Sequence, residues 1–315
     1  MSRLLIVDGH ALAHRAYHSI PHLTANGQPV NLIYGFYSIL LSAIDSLKPK
    51  YLIVCLDSPG PVFRNQDYLA YRANRPPVDK DLAIQLPELK NSLEKATIPN
   101  FSLSGYEADD LIATLTRQSL KRRSLKTKKP LVSQVTIITG DKDLMQLVSP
   151  KVELFMPIRG LSQTQIFSPK DVFNKLGVKP SQVVDLKALM GDSSDNYPGV
   201  SGIGPKTAIR LLSQYGNLDN IYQHLKDIKP AYTAKLEKDH DNAYLSRKLA
   251  QLIYDAPIKL NLNKARWHVH HLKPLLSLFK SYNFRSLSSR LSRQYPKLSP
   301  EPLSPKINTN QATLF

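Results

Sequence analysis

Acidic residues stand at the ends of apolar runs in this chain, and the arrangement recurs. Asp8 ends the run LLIVD, Asp57 follows YLIVCL, and Asp141 and Asp143 follow VTIITG. Each run is short and rich in β-branched residues, the composition of a parallel strand buried on both faces. A strand of that kind hands its last residues to the carboxyl edge of an open sheet, where ligand sites of α/β folds lie. Two more motifs extend the set. Glu107, Asp109 and Asp110 in GYEADD open the amphipathic segment ADDLIATLTRQSL, and a helix N-terminus favours negative charge. Asp192 and Asp195 in GDSSDN follow the helical stretch VVDLKALM and are expected on a loop.

Taken singly, any of these nine acids reads as a surface residue, an N-cap or a turn former. Taken together, their shared placement points to convergence, and convergence has to be compensated. Two carboxylates about 5 Å apart repel by roughly 3 kcal/mol at an effective dielectric near 20. Divalent cations are the natural compensation, and oxygen ligands without accompanying His or Cys favour Mg²⁺ or Mn²⁺ over zinc.

The rest of the chain is strongly basic. Its formal net charge is +17, which suits nucleic acid or an anionic surface. No run of about 18 apolar residues exists, so a membrane span is not expected, and the sequence enters a strand directly after MSR, with no evident signal or transit peptide. The single cysteine, Cys55, falls inside an expected core strand as a small apolar side chain. It excludes an internal disulfide and a cysteine-based zinc site, and a reducing cytoplasm is the simplest compartment.

The ordered motifs VDGH, LDSPGPVFR, YRANR, GYEADD, TGDKDLMQL and GDSSDNYPGVSGIGPKTA, from about residue 3 to about residue 290, resemble the 5′-nuclease family. That family comprises the flap endonucleases and the N-terminal 5′→3′ exonuclease domain of bacterial DNA polymerase I. The resemblance implies an α/β fold with a central, mainly parallel, PIN-like or resolvase-like sheet, a helical arch at about 64–100, and a C-terminal helix-hairpin-helix-type helical subdomain. The implied divisions are a catalytic domain over 1–182, a helical DNA-binding subdomain over 183–292, and a disordered tail over 293–315. It further implies two-metal hydrolysis of DNA phosphodiesters near a 5′ end, with Asp8, Asp57, Glu107, Asp109, Asp110, Asp141, Asp143, Asp192 and Asp195 on the metal positions. Two Mg²⁺ ions are expected, with Mn²⁺ as a substitute, one activating water and the other stabilising the leaving 3′ oxygen. Arg64 and Arg72, with Asp109, Asp110, Asp141 and Asp143, are the expected catalytic residues.

Between Phe63 and Pro99 the composition turns to Arg, Tyr and Pro without a clear strand. Long insertions in a compact domain are usually functional or disordered. Under the resemblance this is an arch for a single-stranded 5′ end, with Arg64, Arg72, Arg75 and Lys80 as phosphate contacts and Tyr68 and Tyr71 interleaved. Arg72 stands where the family generally has Lys, a planar fork in place of a point charge. His14 takes a position that often holds an aromatic residue stacking on the terminal base, with Arg15 and Tyr17 beside it; a core role for Tyr17 is an equal alternative. The basic run KRRSLKTKKP at 121–130 reads as a solvated loop insertion.

In GVSGIGPKTA the phosphate-loop pattern fails, because Pro205 separates Gly204 from Lys206. Glycines ahead of a helix fit a helix-hairpin-helix element instead, whose backbone amides hold duplex phosphates without reading bases. Gly202, Gly204, Lys206 and Thr207 carry that resemblance, which also implies a monovalent cation, commonly K⁺. Histidines in WHVHH at 267–271 are expected on a strand or the surface. The Pro- and Ser-rich end closes with Gln311, Leu314 and Phe315, similar to the Q-x-x-L-F peptide that docks on the bacterial sliding clamp. A free-standing monomeric nuclease, cytoplasmic and nucleoid-associated, is the reading, since 315 residues leave no room for a polymerase. Its expected substrates are 5′ flaps, nicks and RNA primers on DNA. A noncatalytic DNA-binding protein of the same fold and a PIN-type RNase are the alternatives.

Overall fold

The computed structural model describes residues 2–124, 127–159, 163–268 and 271–295. Along the chain it contains β1 (Arg3–Asp8), α1 (Gly9–Ser19), a hairpin of β2 (Thr24–Ala25) and β3 (Gln28–Pro29), α2 (Asn31–Leu47) and β4 (Tyr51–Cys55). Next come α3 (Phe63–Asp67), α4 (Lys80–Lys95), β5 (Asn100–Phe101), α5 (Ala108–Lys121), β6 (Gln134–Ile138), β7 (Val152–Arg159) and β8 (Gln163–Phe167). The remainder is helical: α6 (Pro169–Leu176), α7 (Val183–Met190), α8 (Pro205–Tyr215), α9 (Leu218–Gln223), α10 (Pro230–Lys238), α11 (His240–Ala250), α12 (Leu272–Ser281) and α13 (Arg285–Gln294).

The apolar runs make the sheet for the reason their composition suggests. Leu4 and Ile6 face one core, Leu5 and Val7 the other, and the same alternation divides Ile53 and Cys55 from Leu52 and Val54. A strand covered on both faces holds an unpartnered polar residue only where it ends; the buried Thr136 of β6 donates its hydroxyl to Glu153 at 2.8 Å. Among the described residues the main sheet has six strands in the order β5-β4-β1-β6-β7-β8. All neighbours are parallel except β7 and β8. Register aligns Asp8 with Cys55 and Val7 with Ile138, so residues just past β1, β4 and β6 emerge side by side at the carboxyl edge. Gly9 is required there: a Cβ would lie 2.4 Å from a Leu56 methyl and 2.8 Å from the Cys55 carbonyl oxygen.

One face carries α1, α2 and α4; the other carries α5 and the helices from α6 to α11. The basic run at 121–130 connects α5 to the start of β6, which puts its described residues at the amino edge, opposite the acids. Two arrangements differ from the sequence reading. Where a raised helical arch is expected, α4 is docked: Leu82, Gln85, Leu89, Ser92 and Leu93 are buried, and Gln85 accepts the Leu32 N–H at 2.9 Å and donates to Asn31 Oδ1 at 3.1 Å. What crosses the carboxyl edge is the stretch from Tyr68 to Asp79, a strap between α3 and α4. The second difference concerns residues 272–294, which do not continue the helical unit. Leu275, Phe279, Leu287 and Leu291 share a core with Phe36, Tyr37 and Leu89 from α2 and α4. No pattern in α12 and α13 distinguishes that partner from α7 or α11, because an apolar helical stripe specifies burial and not what buries it. His271, expected on a strand or the surface, is buried at the head of α12, paired through Nδ1 with Thr97 Oγ1 at 2.8 Å and stacked on Trp267; His270 lies outside the described residues.

Phe279 is fully buried and meets Tyr37 edge to face at 5.3 Å. Phe279→Ala should therefore destabilise the protein by about 3–5 kcal/mol in urea unfolding. A loss below about 1 kcal/mol would mean that α12 is not part of this core.

Candidate active site

Asp8 ends β1 and caps α1, accepting the Ala11 N–H at 3.0 Å through Oδ1. Its Oδ2 accepts the Thr139 hydroxyl at 2.6 Å, and that hydroxyl oxygen accepts the Asp141 N–H at 2.8 Å. Thr139, just past β6, thus couples the acids of two strand ends. Asp141 in turn accepts the Asp143 N–H at 2.8 Å. Asp57 accepts the Ala108 N–H at 2.7 Å, which fixes the first turn of α5 and with it Asp109. Asp8, Asp57, Asp109 and Asp141 line one cavity of about 210 Å³, with His10, His14, Arg72 and Arg75 around it.

Asp8 and Asp109 resist ionisation there, as does Asp143 beside them. Burial, partly offset by the Thr139 and Ala11 hydrogen bonds and reinforced by repulsion from Asp141 and Asp57, raises Asp8 to about 7. Asp109 lies well above the ordinary carboxylate range through burial and then through Asp141 and Asp8. Asp143 is raised to about 7 by burial and Asp141 against the pull of Lys187. Among the described residues no three acids, histidines or cysteines form a preformed chelate. The four carboxylates of the cavity are nonetheless a mutually repelling set of oxygen donors, the chemistry a hard divalent cation satisfies, and the Nδ1 of the neighbouring His10 is already taken by the Asp57 N–H. The residues fit such an ion.

Side-chain cations already neutralise the neighbouring acids. Lys187 of α7 pairs with Asp143 and reaches Asp192 Oδ2 at 2.6 Å, holding Asp192 at about 2 despite its burial. In the strap, Arg72 pairs with Glu107 and, through Nε, with Asp195 at 3.1 Å, while Arg75 reaches the same Asp195 oxygen at 2.6 Å. The Tyr71 hydroxyl donates to Glu107 and Asp195 at 3.2 Å each. The backbone joins in: the Arg72 N–H donates to the Asp195 carbonyl at 2.9 Å, and Asn196 donates to the Ala70 carbonyl and accepts from Asn74, both at 2.7 Å. Arg72 adopts φ +59° and Asn196 φ +57°, left-handed conformations held by these contacts.

Arg64 and Asp110 sit elsewhere than the sequence suggests. Arg64 is 1% exposed, and its guanidinium binds Asp110 at 2.8 and 2.9 Å, Glu107 at 2.7 Å and the carbonyls of Leu249 and Gln251 at 2.9 Å each. Asp110 is fully buried, and its Oδ1 also accepts the Ile253 N–H at 2.9 Å. With its donors committed, Arg64 is a strut joining α3 and α5 to the segment after α11 and is closed to phosphate. The family resemblance puts an arginine near the site but does not say which way it faces.

His14 is exposed on α1 at the cavity, Arg15 is half-buried beside it, and the Tyr17 hydroxyl donates to Asp79 at 2.7 Å, anchoring the head of α4. Lys80 is exposed in the first turn of α4, and Tyr68 packs with Tyr71 and Tyr197. Between α7 and α8 the loop folds back on itself, Asp192 and Tyr197 exchanging backbone bonds at 3.0 Å. Gly199 takes φ +63° where a Cβ would stand 2.1 Å from the Gly191 nitrogen. Gly204 caps α8, Gly202 and Lys206 are exposed, Thr207 is half-buried, and Lys235 donates to the Gly202 carbonyl at 3.1 Å. Two residues escaped the sequence reading. His10, in VDGH, accepts the Asp57 N–H through Nδ1 at 3.0 Å, and Lys187 is the counter-ion described above. His10 had a signal, two residues past the first acid; Lys187 had only its position on a helix ahead of GDSSDN. Gln311, Leu314 and Phe315 lie outside the described residues.

Two outcomes follow from this geometry. Arg64→Ala leaves Asp110 buried without its counter-ion and takes one of two arginines from Glu107, and should cost about 3–5 kcal/mol in chemical unfolding, where loss of a mere phosphate contact would cost nothing. In EDTA, Asp8 and Asp143 keep protons in the native state that the unfolded chain has released above its ordinary pKa near 3.8, so stability should fall as pH rises from about 5 to 8. Excess Mg²⁺ should raise Tm most at the alkaline end. A Tm that is flat or climbs over that window in EDTA would contradict the charge assignment.

Comparison with known proteins agrees with this architecture. A family model described as the 5′-3′ exonuclease N-terminal resolvase-like domain matches residues 3–177, and one described as the 5′-3′ exonuclease C-terminal SAM fold matches residues 178–273. DNA polymerase I of Caldicellulosiruptor bescii is 37% identical over 292 residues, covering 92% of this chain and 33% of that protein. DNA polymerase I of Bacillus subtilis is 32% identical over 313 residues, covering 99% of this chain and 34% of the relative. The chain thus spans about a third of the length of the curated relatives it matches. Among solved structures, the T5 5′-exonuclease with bound zinc shares the fold at TM-score 0.65 and 24% identity, covering 92% of this chain and 98% of that one. The catalytic core of Rad2 in complex with DNA substrate does so at TM-score 0.58 and 17% identity, covering 95% and 92%. With a mostly parallel resolvase-like sheet, a helical C-terminal unit and family models spanning most of its length, the chain belongs to the 5′-3′ exonuclease family.

Proposed function

We propose that this chain hydrolyses DNA phosphodiesters near a 5′ end, as a structure-specific 5′→3′ exonuclease and flap endonuclease. The observation that carries the reading is the single cavity in which Asp8, Asp57, Asp109 and Asp141 meet beneath two arginines, in a chain of net charge +17. The names of its relatives support it: a 5′-exonuclease with divalent ions bound, and a Rad2 catalytic core with DNA substrate. Asp8, Asp57, Asp109 and Asp141 would hold one divalent ion, and Asp143 and Asp192, with Asp195, a second; Glu107 supports the set through Arg72. Mg²⁺, or Mn²⁺ in its place, would supply a water of lowered pKa and neutralise charge on the leaving 3′ oxygen.

The chain's own groups do the remaining work. Arg72 and Arg75 stand at the cavity as the cations a phosphodiester would meet, and His14 offers a ring beside them. Gly202, Gly204, Lys206 and Thr207, at the exposed start of α8, would hold a duplex phosphate through backbone amides and one ammonium, with K⁺ as an accessory cation. The substrates in this reading are 5′ flaps, nicked duplexes and RNA primers on DNA, and Gln311, Leu314 and Phe315 would tether the enzyme to a sliding clamp. The protein would act as a monomer where DNA is replicated and repaired.

The test is a 5′-labelled double-flap DNA with Mg²⁺, run beside an Asp141→Ala, Asp143→Ala variant. The wild type should release a discrete flap-length product, and the variant should lose at least about 10³-fold in rate while still binding the DNA. Binding without cleavage by the wild type in both Mg²⁺ and Mn²⁺ would transfer the assignment to a noncatalytic DNA-binding protein.

A further inference from the structure

Much of the chain's positive charge stands away from the acids. The basic run after α5 reaches the amino edge of the sheet and folds back on itself there. Arg123 and Pro130 pair as an antiparallel bridge, the Ser124 N–H donates to the Lys129 carbonyl at 2.9 Å, and the Leu131 N–H donates to that of Arg122 at 3.0 Å. The segment ahead of Trp267 lies alongside, fixed by Arg122 donating to the Leu260 carbonyl at 3.2 Å. Exposed Arg123, Lys128, Lys129, Lys259 and Lys264 are thereby gathered around Arg122, and Lys50 and Lys151, exposed just ahead of β4 and β7, continue the row along the edge. Neither 121–131 nor 259–264 contains an acid. Among the described residues none of these cations enters an ion pair. Glu153, one residue into β7, and Asp45, in the last turn of α2, are already engaged by Arg3 and Arg290. Between the two basic segments is a cleft of about 490 Å³, with Arg122, Lys259, Asn261 and Asn263 on its walls. Asn261 Oδ1 accepts the N–H groups of Asn263 and Lys264 at 3.0 and 3.1 Å, which leaves its NH₂ group as a donor.

From this placement we infer that the amino edge is a second nucleic-acid surface, which takes the sugar–phosphate backbone of a duplex segment other than the one at the acids. That the duplex is a second one rests on reading the acid cavity as a DNA site; the charge of the surface does not. Its occupant follows from what the surface offers and what it lacks. Cations and amide donors suit phosphate oxygens. None of the large apolar side chains exposed among the described residues belongs to these segments, whereas a protein partner or a membrane would need such side chains to bury. A duplex backbone is met by charge, polar groups and water alone. Neither segment has an aromatic residue on which single-stranded bases would stack. The two surfaces are also too far apart for one straight helix. The five residues of β6 separate them by about 17 Å at roughly 3.3 Å each, and a duplex stays straight over such a span, so one held at the acids does not turn round the sheet to reach the amino edge. The protein would hold two duplexes at once, a broken one at the acids and an intact one behind the sheet.

The experiment loads the full chain onto a bead-tethered flap DNA in Ca²⁺, which permits binding without turnover. A fluorescent duplex closed by a loop at each end is then added, and its capture is read as salt is raised from about 50 mM. Wild type should capture the looped duplex and leave a single-stranded probe of the same length in solution. A Lys129→Glu, Lys264→Glu variant should lower capture about 50-fold or more near ~0.1 M salt and reduce the log–log salt slope by about 2, with unchanged Tm. A Lys226→Glu, Lys280→Glu variant makes the same change of net charge at exposed positions after α9 and on α12, and should capture as wild type does. No capture by wild type overturns the second surface, and so does capture that the first variant leaves undiminished. Equal losses in the two variants also overturn it, since net charge is then the whole cause. A single strand captured as well as the duplex overturns the choice of a duplex. Cleavage of the tethered flap in Mg²⁺ reports on the parent reading separately: cutting without capture removes this surface alone, whereas capture that depends on Lys129 and Lys264 without any cutting removes the nuclease assignment and leaves the surface.

Discussion

Repulsion among carboxylates is the constraint around which this molecule is arranged. Burial on both faces makes β1 and β4 release acids only at the carboxyl edge, and register sets them beside Thr139 and Asp141 just past β6. Everything nearby answers the resulting charge. Asp8 and Asp57 are tied to helix N-termini, Thr139 separates and couples Asp8 and Asp141, Lys187 bridges Asp143 and Asp192, and two strap arginines converge on Asp195. Despite these partners Asp8 and Asp109 remain hard to ionise, which is the property that makes the cavity receptive to divalent cations.

Local signals in the sequence carried the parts of this arrangement that depend on local rules. The unbroken apolar runs LLIV and YLIVC state that both faces are covered, and that statement alone sends Asp8 and Asp57 to the carboxyl edge. The helix opened by GYEADD follows from charge at a helix start. What depends on direction was not legible. Arg64 lies in a five-residue helix whose one buried face is chosen by Asp110 and by two carbonyls about 185 positions away, so its sequence neighbourhood suggests a surface cation when the fold makes it a buried strut. The docking of α4 is similar. Gln85 and Ser92 are polar residues that read as solvent-facing, yet both are buried against α2 through hydrogen bonds to Asn31, Leu32 and Tyr37. The return of α12 and α13 to α2 is likewise a matter of long-range partnership, where composition gives no preference.

These departures share a physical reason. Buried polar side chains are stabilised only as complete networks, and a network is a property of several distant segments at once. Arg64 with Glu107, Asp110, Leu249 and Gln251 draws on three stretches of chain. Removing any one member would reverse the sign of its contribution, from stabilising strut to unpaired buried charge. The same feature that hides such residues from a linear reading makes them the points on which the relative placement of α3, α5 and the segment after α11 depends.

The strap from Tyr68 to Asp79 has a consequence of its own. Arg72 and Arg75 share one oxygen of Asp195, so a cation that draws this carboxylate away loosens two guanidinium groups at the rim in the same event. Positive charge taken up beside the cavity is thereby converted into positive charge presented above it. Cation and polyanion, although they touch different atoms, would then read one another's presence through one shared carboxylate, and each would strengthen the other's hold by the same factor.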